Sequence, residues 1–284
     1  MALALFSQSI LRMLSSFCKI LIARLSCVAL FLSSSYAFSD STSLNTAMFF
    51  KGEKKLTYAV KWQYGLLQVT AGYLDAQILA PVFQDGTILH PIHASAKSSS
   101  FVGVFYPFHY AIDSLWDQKG YSHQFAMHGI EKSDQKDQIE SYDYGKKISS
   151  LWQKIENKND SSNRHEKSEE FTLPAQAQDV LSSLYYLRSA NLSTDPQQVF
   201  TFSVMVDASP WSVNVKFLEK SKLKVNGSKL IANVYQLDFY KDGKLDNSGS
   251  KIWISSEADH SILKMESKVQ VGKIWVKLTD KEIE

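Results

Sequence analysis

Residues 55–63 read Lys55-Leu56-Thr57-Tyr58-Ala59-Val60-Lys61-Trp62-Gln63, with Leu56, Tyr58, Val60 and Trp62 at every second place and mostly polar residues between them. A period of two belongs to a half-buried strand, whose side chains point alternately to a dry and a wet face. Gly65 allows a turn, and a second strand follows in which Leu67, Val69 and Ala71 share one face. The apolar parity then shifts to Leu74, Ala76 and Ile78. A one-residue slip at Gly72 is the signature of a β-bulge, and bulges curve a sheet.

The same grammar continues along the chain. His90–Ser100, Ala111–Trp116, Tyr121–Ile130, Val199–Val206, Trp211–Phe217, Lys229–Tyr240, Lys251–Ser255, Ile262–Val271 and Lys273–Thr279 read as strands, separated by turn signals such as Asn226-Gly227 and Asp242-Gly243. Two polar stretches, Glu131–Asp143 and Glu156–Glu170, lack apolar relief and read as solvated loops or hairpin tips. One segment breaks the pattern. In Pro174–Ala190 the residues Val180, Leu181, Leu184 and Leu187 recur at three and four, which predicts a helix with Asp179 near its start. The expected fold is mainly β: a strongly curved antiparallel sheet or open barrel with one packed helix over about 174–190, in a single domain spanning 49–280.

Of the 31 lysines and arginines, Arg12, Lys19 and Arg24 lie in residues 1–37, which hold no acid, so the remainder sets 28 bases against 29 acids. That remainder is close to neutral. Arg164 and Arg188 are its only arginines, which argues against a nucleic-acid groove. Leu25–Leu32 is a short apolar run with Lys19 and Arg24 before it and small residues Ser35 and Ala37 after it, the three parts of a secretory signal. Cleavage after Ala37 would leave a flexible mature N-terminus over 38–48. The spacing makes Met13 a better start than Met1. An uncleaved signal anchoring the chain in the inner membrane is the competing reading. Both cysteines, Cys18 and Cys27, fall in this segment, so the exported chain has no thiol for catalysis or for zinc.

Several short motifs, in order, resemble the bacterial domain-of-unknown-function family 3108. They are Gly52-Glu53 with Leu56, Tyr58, Val60, Trp62 and the following Gly72; Asp113-Ser114; Asp179-Val-Leu-Ser-Ser-Leu-Tyr-Tyr-Leu-Arg188; and Trp253-Ile-Ser ahead of Leu263-Lys-Met-Glu266 and Gly272. The resemblance runs from about Phe49 to Leu278. It implies an exported protein of a Gram-negative bacterium, placed in the periplasm, with a mostly antiparallel β fold and no assigned activity. A looser likeness of fold links it to the half-open barrels of periplasmic lipoprotein carriers and sigma-regulator sensors, and fold alone does not fix function.

The residues offer little catalytic equipment. His90 and His93, three apart on a strand, face opposite ways, and His123 and His128 fail the same test, so neither pair grips a metal. No cofactor motif is present. Glu53 and Asp113 stand in apolar surroundings, and burying such acids is costly unless they are paired. A structural ion pair is therefore expected between Arg188 and one of Glu53, Asp113 or Asp179. The aromatic residues Tyr58, Trp62, Phe101, Phe105, Tyr106, Phe108 and Trp211 are the candidate ligand-binding set, with Phe101–Phe108 and its Pro107 as a lip. Lys216, Lys220, Lys222 and Lys224 read first as protection of a strand edge and second as a contact for anionic lipid. The function expected is non-enzymatic binding of a lipid or other apolar small molecule, or of an envelope protein, with membrane contact at most peripheral. A scaffold for envelope assembly is the alternative, and a hydrolase the third.

Overall fold

The computed structural model describes residues 53–84, 86–269 and 272–283, with backbone alone at 53, 54, 161, 163, 247, 248 and 283. The expected signal over 1–37 and the N-terminus over 38–48 lie outside these. From the middle of the sheet the chain builds β1 (Glu53–Tyr64), β2 (Leu67–Ile78), β3 (Val82–Gln84), β4 (Thr87–Ser98), β5 (Phe108–Asp117), β6 (Ser122–Glu131), β7 (Asp134–Asp143), β8 (Ile148–Asn157) and β9 (Asp160–Thr172). It then crosses to the far edge and returns inward through β10 (Val199–Val206), β11 (Ser209–Val225), β12 (Ser228–Lys241), β13 (Lys244–Ser255), β14 (Ile262–Lys268) and β15 (Lys273–Ile283). The result is one 15-stranded sheet in the order β10-β11-β12-β13-β14-β15-β1-β2-β4-β5-β6-β7-β8-β9, with β3 off the path against β4. First and last strands are neighbours: Tyr58 stands opposite Leu278, and Trp62 opposite Ile274.

Local chemistry accounts for the register. Asn226 and Gly227, and Asp242 and Gly243, all have positive φ, the conformation a two-residue hairpin turn demands. Val60 pairs with Gly72 but Lys61 with Thr70, so Ala71 is the extra residue of the predicted bulge. Gly72 itself has no room for a side chain, because a Cβ there would lie 2.4 Å from the Lys97 carbonyl oxygen. The two polar stretches expected as loops are instead β7 and β9. Ladder hydrogen bonds, not apolar burial, hold β9, which is the sheet's outer edge and mostly exposed. Its Arg164, Glu166, Lys167 and Glu169 are the charges that keep such an edge from pairing with another chain.

Two apolar clusters fill the concavity. One gathers Leu56, Tyr58, Val60 and Trp62 of β1 with Val276 and Leu278 of β15. The other packs Ile92, Trp116, Val213 and Ile252 around Leu181, Tyr185, Tyr186 and Leu187. These last four belong to or adjoin the helix α2 (Ser182–Ser189), while a single helical turn, α1 (Ser100–Gly103), follows β4.

Helix α2 is shorter than the sequence predicts, and the reason is visible in the backbone. Gln178 bridges to Val204 as a parallel pair, with its N–H on the Ser203 carbonyl at 3.0 Å and its carbonyl taking the Met205 N–H at 2.6 Å. The Ala177 carbonyl accepts from the Ser122 N–H at 3.3 Å. Residues 177–178 therefore stitch β6 to the free edge of β10 and are not available to a helix. Asp179 then starts α2. Its Oδ1 accepts the Leu181 and Ser182 N–H groups at 2.7 and 2.8 Å, and its Oδ2 accepts the Ser114 and Ser122 hydroxyls at 2.5 Å each. Ser182 Oγ accepts the Asp179 N–H in return at 2.9 Å. One buried carboxylate thus ties helix, β5 and β6 together. Burial raises its pKa, and the hydrogen bonds from Ser114, Ser122 and Ser182 oppose that rise.

Asp179→Ala leaves two amides and two hydroxyls without their acceptor, at about 1 kcal/mol or more each. Urea unfolding should show a loss of roughly 3 kcal/mol or more. A change below about 1 kcal/mol would remove Asp179 as the anchor of α2.

Candidate functional site

At one end of the sheet, the connection between β4 and β5 forms a fixed lip. Ser99 caps α1, its Oγ accepting the Val102 N–H at 3.2 Å and donating to the Thr70 carbonyl at 2.7 Å. A helical turn places positions 102 and 106 on one side and 101, 104 and 105 on the other. Val102 and Tyr106 are buried, at 4% and 3% exposure, whereas Phe101, Val104 and Phe105 are 64%, 76% and 53% exposed. The Tyr106 hydroxyl donates to Glu131 Oε2 at 2.6 Å, and the Tyr110 hydroxyl donates to the other carboxylate oxygen. Lys132 lies 4.8 Å over the Tyr106 ring. Phe101 and Phe105 meet edge to face, with centroids 6.0 Å apart.

The seven aromatic candidates therefore divide. Tyr58, Trp62, Tyr106, Phe108 and Trp211 are buried in the core, and Phe101 and Phe105 face solvent. Val104 lies within the expected lip, whereas the β1–β2 turn residue Leu66, fully exposed at the same end of the sheet, escaped the sequence reading. An isolated apolar residue at a turn carries no periodic signal.

Two of the three acids expected as partners of Arg188 are engaged elsewhere. Asp113 is on the exposed side of β5, where its carboxylate meets His93 Nδ1 at 2.7 Å. Asp179 is saturated by amides and hydroxyls. Neither bridges Arg188. The third partner, Glu53, has a side chain outside the described set. Arg188 is buried, donates to the Asp259 carbonyl at 3.1 Å and lies 5.1 Å over the Tyr185 ring. Among the described residues no group of three histidines, cysteines or acids is placed to hold a metal ion. Beyond Lys216, which pairs with Val199, β11 has β12 on one side and no β10 on the other, and the exposed Lys220, Lys222 and Lys224 sit on that open stretch. This is the geometry of edge protection.

A second cluster, missed by the sequence reading, fastens the β10–β11 turn to β7 and β8. Asp207 and Ala208 join β10 to β11 with φ of 48° and 55°, a strained choice for residues other than glycine. The Ala208 N–H donates to Glu140 Oε2 at 2.9 Å, and its carbonyl accepts the Ser149 hydroxyl at 2.7 Å. Glu140 also accepts the Tyr142 hydroxyl at 2.8 Å and the Gln138 amide at 2.6 Å, and Gln138 reaches Asp207 at 3.1 Å. Glu140 is 1% exposed. Burial outweighs these donors and pushes its pKa up to about 7. Burial likewise pulls the Lys136 ammonium down, against the attraction of Asp207, Glu131 and Glu140.

The model of the family described as protein of unknown function (DUF3108) matches residues 57–279. No curated protein matches the chain. Among solved structures the chain is similar to a β-barrel-like protein of domain of unknown function DUF1849 from Brucella abortus. The identity is 9%, over 82% of this chain and 98% of that one, with a TM-score of 0.49. A protein of Bacteroides fragilis described as exported and YmcC-like in fold matches at 7% identity over the same shares, with a TM-score of 0.34. One of Parabacteroides distasonis described as a lipoprotein does so at 8%, with a TM-score of 0.27.

Glu140 ties stability to pH. The folded chain holds its proton more tightly than the unfolded chain, so its contribution is full below the ordinary value of 4.5 and is lost as pH rises to about 7. At about 1.4 kcal/mol per tenfold change in proton affinity, the loss is on the order of 3 kcal/mol. Asp179, also raised, acts in the same direction, and the buried, depressed His90 acts in the opposite one. Comparing wild type with Glu140→Gln subtracts both. The stability difference between the two proteins should shift by about 3 kcal/mol in favour of the variant between pH 4.5 and about pH 8. Parallel curves would refute the assignment.

Proposed function

The chain belongs to the DUF3108 family, a family of unknown function, and from that premise we propose that it is an exported, non-catalytic protein of the cell envelope. It holds an apolar, lipid-like component at the rim bearing Phe101, Val104 and Phe105. The export reading rests on the basic flank, short apolar core and small residues of positions 19–37, and it puts the protein in the periplasm of a Gram-negative cell.

The observation that carries the binding reading is the lip itself. Three large apolar side chains are offered to water on a turn whose opposite face is pinned by Val102, Tyr106 and Ser99. Exposed apolar residues are ordinary when scattered, but here they are adjacent and rigidly presented. Pre-ordering lowers the entropic cost of capture, so burial of ring surface at roughly 25 cal/mol per Å² is kept as binding energy. No proton transfer or covalent step is needed. The titratable groups of the seam are turned inward on their own hydrogen bonds, and Asp113 and His93 satisfy each other on the outer face.

The test is extraction and mass analysis of lipid from protein purified out of envelopes, for wild type and for the triple substitution Phe101→Ser, Val104→Ser, Phe105→Ser. Wild type should carry stoichiometric lipid and the triple variant should not. Because all three side chains are exposed, the variant's stability should stay within about 1 kcal/mol of wild type. Lipid-free wild type, or a variant that retains its lipid, would defeat the proposal.

A further inference from the structure

The lip is one part of a larger edge. The β1–β2 turn (65–66), the β4–β5 connection (99–107), the β6–β7 turn (132–133), the β8–β9 turn (158–159) and the β14–β15 connection (269–272) all lie at the same end of the sheet. The antiparallel register requires this: Gln63 pairs with Lys273, Gly72 with Ser98, Lys97 with His109, Phe108 with Glu131, and Asp134 with Asn157. Leu66, Phe101, Val104 and Phe105 protrude from this end. Lys97, Lys132, Lys158 and Lys268 are exposed on it, and none of the four forms an ion pair among the described residues. Of the acids at this end, Glu266 pairs with Lys264 and Lys273 and Glu156 with Lys154, while Glu131, Asp134 and Asp160 accept from uncharged donors, the Tyr106 and Tyr110 hydroxyls, the Asn157 amide and Ser162.

We infer that this end of the sheet docks on the surface of an anionic lipid bilayer. The inference rests on the binding reading above and names its partner. Apolar tips that project from two separate connections suit a broad, soft surface better than a single enclosed molecule. Lys97, Lys158 and Lys268, with Lys132 over the Tyr106 ring, complement acidic headgroups, whose attraction acts within about a Debye length of the surface. Hydrophobic insertion supplies depth, and charge selects the lipid. Neither the seam at Glu140 nor the Lys220–Lys224 edge takes part.

The experiment uses the full chain carrying Phe101→Trp, with wild type as the blank for the native tryptophans, and vesicles containing brominated lipid. Phosphatidylcholine vesicles with and without phosphatidylglycerol are compared at low and high salt. Light from residue 101 reports on the rim and not on the apolar segment near the N-terminus. Quenching should be strong with phosphatidylglycerol, several-fold weaker without it, and reduced by salt. Adding Lys97→Glu and Lys158→Glu should lower vesicle affinity about tenfold or more, with an unchanged melting temperature as the control for folding. Absence of quenching, or quenching indifferent to lipid charge, overturns the inference. If lipid still co-purifies in that case, the protein holds a captured molecule and the earlier proposal survives. If it does not, both fall.

Discussion

A sheet of fifteen strands that begins in its own middle leaves two edges, β9 and β10, and the molecule holds the β10 hairpin against β7 and β8 through a single turn residue. Ala208 gives its N–H to Glu140 and its carbonyl to Ser149, so both of its backbone groups are taken by β7 and β8. Residues 177–178 reinforce this contact by pairing with β10 on one side and β6 on the other. Without these contacts the β10–β11 turn would be held only by the β11–β12 ladder and by burial of apolar residues such as Val204, Val213 and Val215. The positive φ at Asp207 and Ala208 is tolerated because the captured groups fix the turn in place.

This contact bears on the rest of the architecture. With β10 held near β6 and β7, α2 packs its tyrosines and leucines against strands of both halves. Asp179 sits where the crossing segment becomes helix, and its two serine partners come from β5 and β6. The rim stands apart from that machinery. Its order comes from Ser99, Tyr106 and Glu131, so its exposed residues are free to vary without loosening the barrel.

The strands were legible in the sequence wherever one face is dry and the other wet, as in β1, β2 and β11. The bulge at Gly72 was readable as a parity change. Strand β9 was not, because an edge held by ladder bonds alone has no apolar period to show. The helix expected over about 174–190 rests on the spacing of Val180, Leu181, Leu184 and Leu187, and only the partner strands reveal that the backbone just before Asp179 is used laterally. Asp113 shows a different limit: aromatic neighbours in sequence suggested burial, but alternation turns it outward to His93. The seam was invisible for a related reason. Glu140 lies in a stretch polar enough to pass for a loop, and its burial depends on a hairpin 68 positions further along.

The adjacency of β1 and β15 at the centre of the sheet also governs how the protein comes into being. A chain delivered N-terminus first presents β1 with one flank bare until its final strand arrives, more than two hundred residues later. Contacts so distant along the chain make for slow maturation. In the interval β1 exposes unpaired amides beside Leu56, Tyr58, Val60 and Trp62, an adhesive surface for any passing strand.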